Sequence, residues 1–581
     1  MSPDLSAFLN PDLCANTARK IGNQLALCQN VATNTCAKCK LVQYCSKGCQ
    51  TADWKIHQKT CKSPLMKEQY EPRWVQEGRL PLFMRTGPDL VSFGANKYLW
   101  GNVPALDILN IKDNEGIRAV DQDFTLLFAA SGDIRNLVKT IVGLPENYRA
   151  KCEVICNDWD FPIVARNAIM LLAALRFEPE TAVPIMIHIW YSALLPARIA
   201  QAVEDCLLPY IDDVCTKVKD KDASSLLGKT FKIRGRSLRL VLKKGEWFRL
   251  CGFFKIPAGL RAIDAQSVRQ RTMMAPERVD YVDRALYRQS PAIRMGMYRF
   301  RVDGVLLPFG ASRKDFDTPN PTFYQDQNIW PMKDSADPLS GWNYCEYIKH
   351  APIARDDVYG SLFFFLRDLL LQFCRRLQSR DMRIQLLNMD AQGLPIYLKE
   401  AGQGKVLFDR IELANICDRG YIGPENTLLT FSPLLKPKNQ NPKATMLMLF
   451  LNAVQEGERL SGGPSSVDFP SILGKLKKYI RIDEFKLLPI FGPGSGNPEL
   501  VRITSCFSMF ADFDKYFRRF LRDVRMDQLA KKFGMRIKNQ HSIIEPWPFR
   551  VTNNTTKHEF EILCAANTIG HERYVEWEKL G

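Results

Sequence analysis

At 581 residues the chain is too long for one hydrophobic core, and roughly three or four structural units are expected. Hydrophobic residues at 46% and charged residues at 25% exclude a disordered or fibrous protein. The formal charge of +17 leaves polyanion binding open until the location of the charge is known.

The opening MSPDLSAFLN places acids before its few apolar residues, so no secretory signal is expected. The stretches Ala182 to Ala197 and Val358 to Cys374 are short for a bilayer and contain His188 and Arg367-Asp368, so no membrane span is expected either. Seven of the seventeen cysteines precede residue 62, and the other ten are scattered through apolar segments. That distribution suits a reducing compartment, cytoplasm or nucleus, better than a disulfide framework.

The first element is a metal-ligand series. From Cys28 the spacing is C-x7-C-x2-C-x5-C-x3-C-x7-H-x3-C, which marks Cys28, Cys36, Cys39, Cys45, Cys49, His57 and Cys61. Cys36 and Cys39 form a knuckle, while Cys45/Cys49 and His57/Cys61 are i, i+4 pairs on one side of a helix. Each pair supplies half a tetrahedron. Two ions need four pairs, so Cys28 requires a mate, and Cys14 is the only other soft ligand before it. Four-coordinate sites closed in this way are structural rather than catalytic, and metal binding supplies folding energy that some fifty residues cannot obtain from burial.

YCSKGCQTADWKIHQKTC resembles the second half of a MYND-type zinc finger, and LCANT at Leu13 to Thr17 is similar to the opening of fungal members; together they set the finger at residues 13–61. The resemblance implies interleaved sites, with Cys14, Cys28, Cys45 and Cys49 on one zinc and Cys36, Cys39, His57 and Cys61 on the other. It departs at the first pair, where thirteen residues separate the cysteines instead of two. It also implies a groove for proline-containing peptides lined by Gln50 and Trp54. Residues 1–62 carry eight Lys/Arg and three Asp, and seven thiolates with two Zn²⁺ reduce their charge from +5 to +2, so the finger lysines do not argue for DNA.

Residues 62–90 read as a charged linker. FTLLFAASGDIRNLVKTIVGL then reads as strand, turn and helix, with Asp133 as the N-cap. Cys152 to Asp158 and Val164 to Leu175 repeat the unit, and Ile384 to Pro395, Val406 to Asp418 and Ala444 to Val454 predict three more buried strands. The expected body is an α/β, Rossmann-like sheet in two halves, 91–180 and 381–456, around a mixed α+β insertion at 181–380 and followed by a C-terminal α+β, largely helical extension at 457–581.

This arrangement resembles a class I methyltransferase core, which implies S-adenosylmethionine held by Gly132, Asp158 and Asp390, with Asn415 and Asp418 edging the reaction site. The match has one loop glycine where that family has several, so a degenerate pocket is expected. WGNVPALDIL, SGDIRNLVKT, ICNDWDFPIVARN and FDRIELANICDRG are similar to the domain of unknown function shared by dynein axonemal assembly factor three and fungal MYND-finger proteins. SET-domain methyltransferases also carry MYND fingers, but no Asn-His-Ser-Cys run occurs.

Residues 229–301 hold eighteen Lys/Arg against five Asp/Glu. KIRGRSLRLVLKKGEWFRL predicts a hairpin with Arg234, Arg236 and Arg239 on a cationic face near Trp247, Phe248 and Phe253. That combination could hold single-stranded nucleic acid, but a solvated edge strand protected by its lysines is favoured. Pro308 to Trp342 reads as an ordered loop over the sheet edge, Gly492 to Gly496 as a turn, and Cys506 to Met535 as an amphipathic helix with Phe507, Phe510, Phe513, Tyr516, Phe517 and Phe520 inward.

Taken together, these features predict an adaptor or assembly factor whose finger recruits a proline-bearing partner. A methyltransferase whose finger selects the substrate and a nucleic-acid binder are the alternatives.

Overall fold

The structure, a computed structural model, describes residues 3–17, 20–21, 24–25, 27–84, 93–116, 119–461, 469–482, 497, 500–501, 503, 506, 509–510, 513–565 and 570–580. The turn expected at Gly492 to Gly496 and the inward Phe507 lie outside the described residues.

In the finger, Asn34–Thr35 pairs antiparallel with Gln43–Tyr44, and helix α1 (Lys47–Cys61) follows. Ser46 opens α1 by accepting the Cys49 amide at 3.2 Å, which satisfies an otherwise orphaned donor. The described part of the expected linker is pinned to the body: Arg79 pairs with Asp280 at 2.6 Å and the Arg73 amide donates to Asp283 at 2.7 Å.

Among the described residues, nine strands form the main sheet: β1 (Phe124–Phe128), β2 (Cys152–Asp158), β3 (Leu226–Ile233), β4 (Arg236–Lys243), β5 (Met382–Asn388), β6 (Arg410–Glu412), β7 (Thr445–Phe450), β8 (Met535–Ile537) and β9 (Arg573–Lys579). Their order is β8-β9-β7-β6-β1-β2-β5-β4-β3. The six strands from β7 to β4 run parallel, while β3, β8 and β9 join by antiparallel pairing. Every residue of β7 is buried, as a parallel strand covered on both faces requires.

The covering layer includes α2 (Arg135–Gly143), α3 (Phe161–Arg176), α4 (Pro179–Tyr191) and α6 (Val358–Ser379), with α5 (Pro291–Asp303) farther along the insertion. α3 is apolar around nearly its whole circumference, so it lies inside the largest core cluster instead of on the surface. No described helix is long and apolar enough to cross a membrane.

Two segments are built into the sheet where separate units were expected. The basic hairpin β3-β4 extends the sheet, with β4 paired to β5 from Ser237 opposite Arg383 to Val241 opposite Leu387. Leu238, Leu240 and Leu242 enter the core and Lys232 stays exposed on the edge strand, so the hairpin belongs to the body and not to a detached insertion. At the other end, β9 inserts between β7 and β8, so the C-terminal region completes the sheet. Its buried charges hid it as a strand: Glu576 is satisfied by the amides of Ser542, Ile543 and Ile544 and by Lys538.

The predicted tail helix is interrupted at Arg525, whose φ of 53° separates α7 (Asp514–Asp523) from Met526–Lys532. Tyr516, Phe517 and Phe520 of α7 pack on the β7/β9 side of the core, Phe520 with its ring 5.6 Å from Phe450. Phe510 joins a smaller cluster with Tyr479 and Phe560. The loop through Pro308 to Trp342 is ordered around buried Phe323, Tyr324, Trp330 and Trp342.

Candidate metal centre

The finger brings eight soft donors into two groups, Cys14, Cys28, Cys45, Cys49 and Cys36, Cys39, His57, Cys61, each with all ligand atoms within 4.8 Å of one another. In the first, Cys28 lies 3.5 Å from Cys45, which is 3.5 Å from Cys49; Cys14 is 3.9 Å from Cys45. In the second, Cys36 and Cys61 are 3.6 Å apart, and His57 Nε2 lies 3.6 Å from Cys39 and 3.0 Å from Cys61. A zinc tetrahedron with ordinary bond lengths has sulfur-sulfur edges of about 3.8 Å and sulfur-nitrogen edges of about 3.6 Å. The donor sets and spacings fit two structural zinc ions. Four protein ligands on each leave no position for an activated water.

Surrounding groups fix these ligands. Burial pushes the Cys14 thiol up to about 12 and the Cys61 thiol up to about 11, so a cation must displace protons to bind there. A hydrogen bond with the side chain of Asn16 pulls Cys49 down to about 7. Asn16 was not singled out from the sequence, although LCANT contains it. Tyr44 donates to Asp53 at 2.7 Å in the finger interior and packs edge-on to His57.

In the body, the strand order reverses beside β1, where open α/β sheets place their ligands. The loop there is already closed. Gly132, at φ 55°, donates its amide to Asp158 Oδ2 at 2.9 Å, and the Asp160 amide donates to Oδ1 at 2.9 Å. Asp158 is 6% exposed, and burial pushes its carboxyl up to about 6. Asp390 is exposed and caps the turn Ala391–Gly393 through the Gln392 amide at 2.9 Å. Buried Asp158 is not presented to a ribose and does not fit the role that the resemblance implies for it, whereas Asp390 stays exposed just beyond β5.

Asp133 accepts the Arg135 amide at 3.3 Å at the start of α2, as the expected cap would, but its carboxylate does more than cap. It accepts from the Gly101 amide at 2.8 Å and Trp190 Nε1 at 3.2 Å, and pairs with Arg135 at 2.6 Å. Asp418 is buried and ties the amides of Leu451 and Asn452 to the loop after β6, with Asn415 bonded to it, so this pair braces two loops. Sequence reasoning missed Glu412 at the end of β6. It accepts the Ala414 amide at 2.8 Å, while its Oε2 has no hydrogen bond among the described residues.

Residues 26–61 match the family model of the MYND finger. The match begins after Cys14, the ligand that completes the first group. Residues 99–195 match a domain of unknown function (DUF4470) that holds the Gly101, Asp133, Arg135 and Asp158 contacts. SET domain and MYND-type zinc finger protein 6 of Schizosaccharomyces pombe is 54% identical over 35 residues, 6% of this chain and 7% of the relative. A SET and MYND domain-containing protein of Dictyostelium discoideum is 50% identical over 40 residues, 7% of each chain. The chain thus spans only about a fourteenth of the length of these curated relatives. No solved structure matches it.

The MYND finger is seated on the body. Ala292 and Met295 of α5, with Phe309, join its core cluster, and Arg294 donates to the carbonyls of Leu65 and Lys67. Gln43 of the finger accepts the Ala354 amide, and the Asp356 amide donates to Lys40. Trp54 remains 40% exposed beside half-buried Gln50, with its ring edge-on to His57 at 5.9 Å.

The basic segment is largely structural. Arg269 donates to the Phe300 and Arg301 carbonyls, Arg294 to those of Leu286 and Gln289 as well, and Arg313 to those of Pro308 and Ala311. Five donors in a planar fork suit irregular backbone that has no ladder partner. On the hairpin, Arg234 pairs with Glu178 and Arg236 bonds the Gln378 carbonyl. Arg239 lies against Thr230, and Trp247 and Phe253 are buried, which leaves Phe248 as the exposed aromatic of that set.

Proposed function

We propose that this protein is an adaptor or assembly factor whose MYND finger grips a proline-containing segment of another protein at Gln50 and Trp54. The observation that carries the reading is the half-exposed Trp54 on a helix held at both ends by metal ligands, beside a finger surface already docked on the body. A rigid aromatic face costs little conformational entropy on binding. Dynein-factor likeness and the sealed loop at Asp158 support a scaffold role for the body. This function belongs to the cytoplasm or nucleus, where thiols stay reduced for zinc. The test is selection of proline-bearing peptides on the full-length protein, with binding lost in Trp54→Ala and zinc content unchanged.

A second reading, S-adenosylmethionine-dependent methyl transfer, draws support from strand order. With the hairpin set aside, β5-β2-β1-β6-β7 follows the third-second-first-fourth-fifth order of doubly wound nucleotide-binding sheets. The engagement of Asp158 by two backbone amides weighs against it. Nucleic-acid binding through the insertion is the least supported reading, since Arg234, Arg236 and Arg239 bond Glu178, the Gln378 carbonyl and Thr230, and Trp247 and Phe253 are in the core.

A further inference from the structure

The two metal groups of the MYND finger are unequally covered. All four donors of the second group are buried, and its His57 is screened by Tyr44 and Trp54, whose rings stand edge-on to the imidazole at 6.2 and 5.9 Å. In the first group Cys14 and Cys28 are buried, but Cys45 and Cys49 are only half-buried. Cys45 follows the strand Gln43–Tyr44, Cys49 lies in the first turn of α1, and Ser46, Lys47 and Gly48 between them are exposed.

The two groups also differ in charge. Four thiolates around a divalent cation leave the first group one unit more negative than the second, whose fourth donor is a neutral imidazole. The lysine on the exposed turn, Lys47, directs its ammonium to the Gln50 side-chain carbonyl at 3.2 Å. A thiolate is the form of cysteine that attacks electrophiles. All seven cysteine ligands are thiolates once metal is bound, so access decides which of them reacts, and access is greatest at Cys45 and Cys49, whose sulfurs are 3.5 Å apart.

We infer that Cys45 and Cys49 form a thiol-modification site, at which a low-molecular-weight disulfide or an alkylating electrophile disarms the first metal group while the second stays intact. With a disulfide, the Cys45 thiolate attacks one sulfur, forms a mixed disulfide and expels one small-molecule thiolate; the Cys49 thiolate then attacks the Cys45 sulfur and expels the second. Two protein thiolates are oxidised to one disulfide, the small disulfide is reduced to two thiolates, and no proton is transferred. The first group loses two of its four donors and can no longer close a tetrahedron.

The consequence for α1 is local. Cys49 ties the first turn of α1 to the first group, whereas His57 and Cys61 tie its other end to the second. The seat on the body adjoins the second group, since Arg294 holds the carbonyls of Leu65 and Lys67 shortly after Cys61. Modification therefore loosens the turn that carries Gln50 and leaves the finger seated. Control of peptide capture in this way rests on the proline-peptide reading; the modification site itself does not.

The test treats the full-length, zinc-loaded protein with oxidised glutathione or, in a second arm, with N-ethylmaleimide. A zinc-responsive dye too weak to strip untreated protein reports released metal, and peptide mass spectrometry reports each cysteine. One zinc equivalent should be released about tenfold faster than the other, with Cys45 and Cys49 modified while Cys36, Cys39 and Cys61 are still unmodified. A dithiol reductant with added zinc should restore that equivalent in the glutathione arm. Cys345 is exposed and outside both groups, so it should react without releasing metal, and Cys345→Ser should leave the zinc kinetics unchanged. Release of both equivalents at one rate, earlier modification within the second group, or retention of both equivalents after Cys345 has reacted completely would overturn the inference. Proline-peptide capture should fall together with the first equivalent. Capture that survives its loss would break the link to Gln50 and leave the modification site standing, and a protein that never captures such peptides would overturn the proline-peptide reading alone.

Discussion

The amide of Gly132 donates to Oδ2 of Asp158 at 2.9 Å, so the loop after β1 and the end of β2 close on each other. Each carboxylate oxygen keeps a second lone pair, but Asp158 is 6% exposed, so ribose hydroxyls would reach it only if the loop after β1 opened and its amides lost a buried partner. Isothermal titration of the full-length protein with S-adenosylmethionine should therefore give no saturable heat. Micromolar binding that disappears in Asp158→Ala would establish an active pocket and remove the scaffold reading.

Metal content gives a second expectation. Protein purified without chelator should hold two zinc equivalents, and Cys28→Ser and Cys61→Ser should each disrupt one site. Structural zinc contributes on the order of 10 kcal/mol to the folding of small fingers. Because Ala292, Met295 and Phe309 pack into the finger core, zinc removal should also loosen α5. Hydrogen exchange across 291–303 that is the same with and without zinc would show that the finger and body are uncoupled.

Gly101 faces Arg135 so closely that a Cβ at that position would lie 1.9 Å from the guanidinium carbon. Arg135 is held by Asp133 at 2.6 Å and by the Val103 carbonyl at 3.1 Å, both buried, so it cannot move aside without breaking an internal ion pair. Gly101→Ala should cost about 3 kcal/mol. A thermal transition within a degree of wild type would show that the loop yields.

Glu412 predicts a pH dependence. Burial raises its carboxyl from 4.5 to about 7, so the folded state holds a proton that the unfolded state releases. The stabilising contribution is complete below about 4.5 and is lost as pH rises through about 7. Glu412→Gln should remove that loss, stabilising the protein relative to wild type by up to about 3 kcal/mol at pH 8 and by much less at pH 5. Parallel stability curves for the two proteins across this window would contradict the assignment.

Trp54 should separate binding from stability. Its ring is partly exposed and touches His57 only edge-on, so Trp54→Ala should cost about 1 kcal/mol or less while abolishing capture of proline-bearing peptides. Loss of zinc from this variant would instead place Trp54 in the finger core.

Seven metal donors were legible from spacing, because ligands two to four residues apart acquire their geometry locally; Cys14, thirteen residues from Cys28, followed only from the need for an eighth donor, and Cys45 proves to precede α1 instead of sharing a helical turn with Cys49. The parallel strands were legible for a related local reason: β1, β2 and β7 are covered on both faces, and that burial writes continuous apolar runs into the chain. Long-range pairing leaves no such mark. Tertiary structure decided that β3 and β4 extend the sheet beside β5, and that β9, with Glu576 satisfied by a distant loop, inserts beside β7. It likewise set Arg269, Arg294 and Arg313 against backbone carbonyls as braces for irregular backbone, and spent Asp158 on Gly132. Residue type sets what a side chain can bond to, but only the folded chain determines which partner reaches it first.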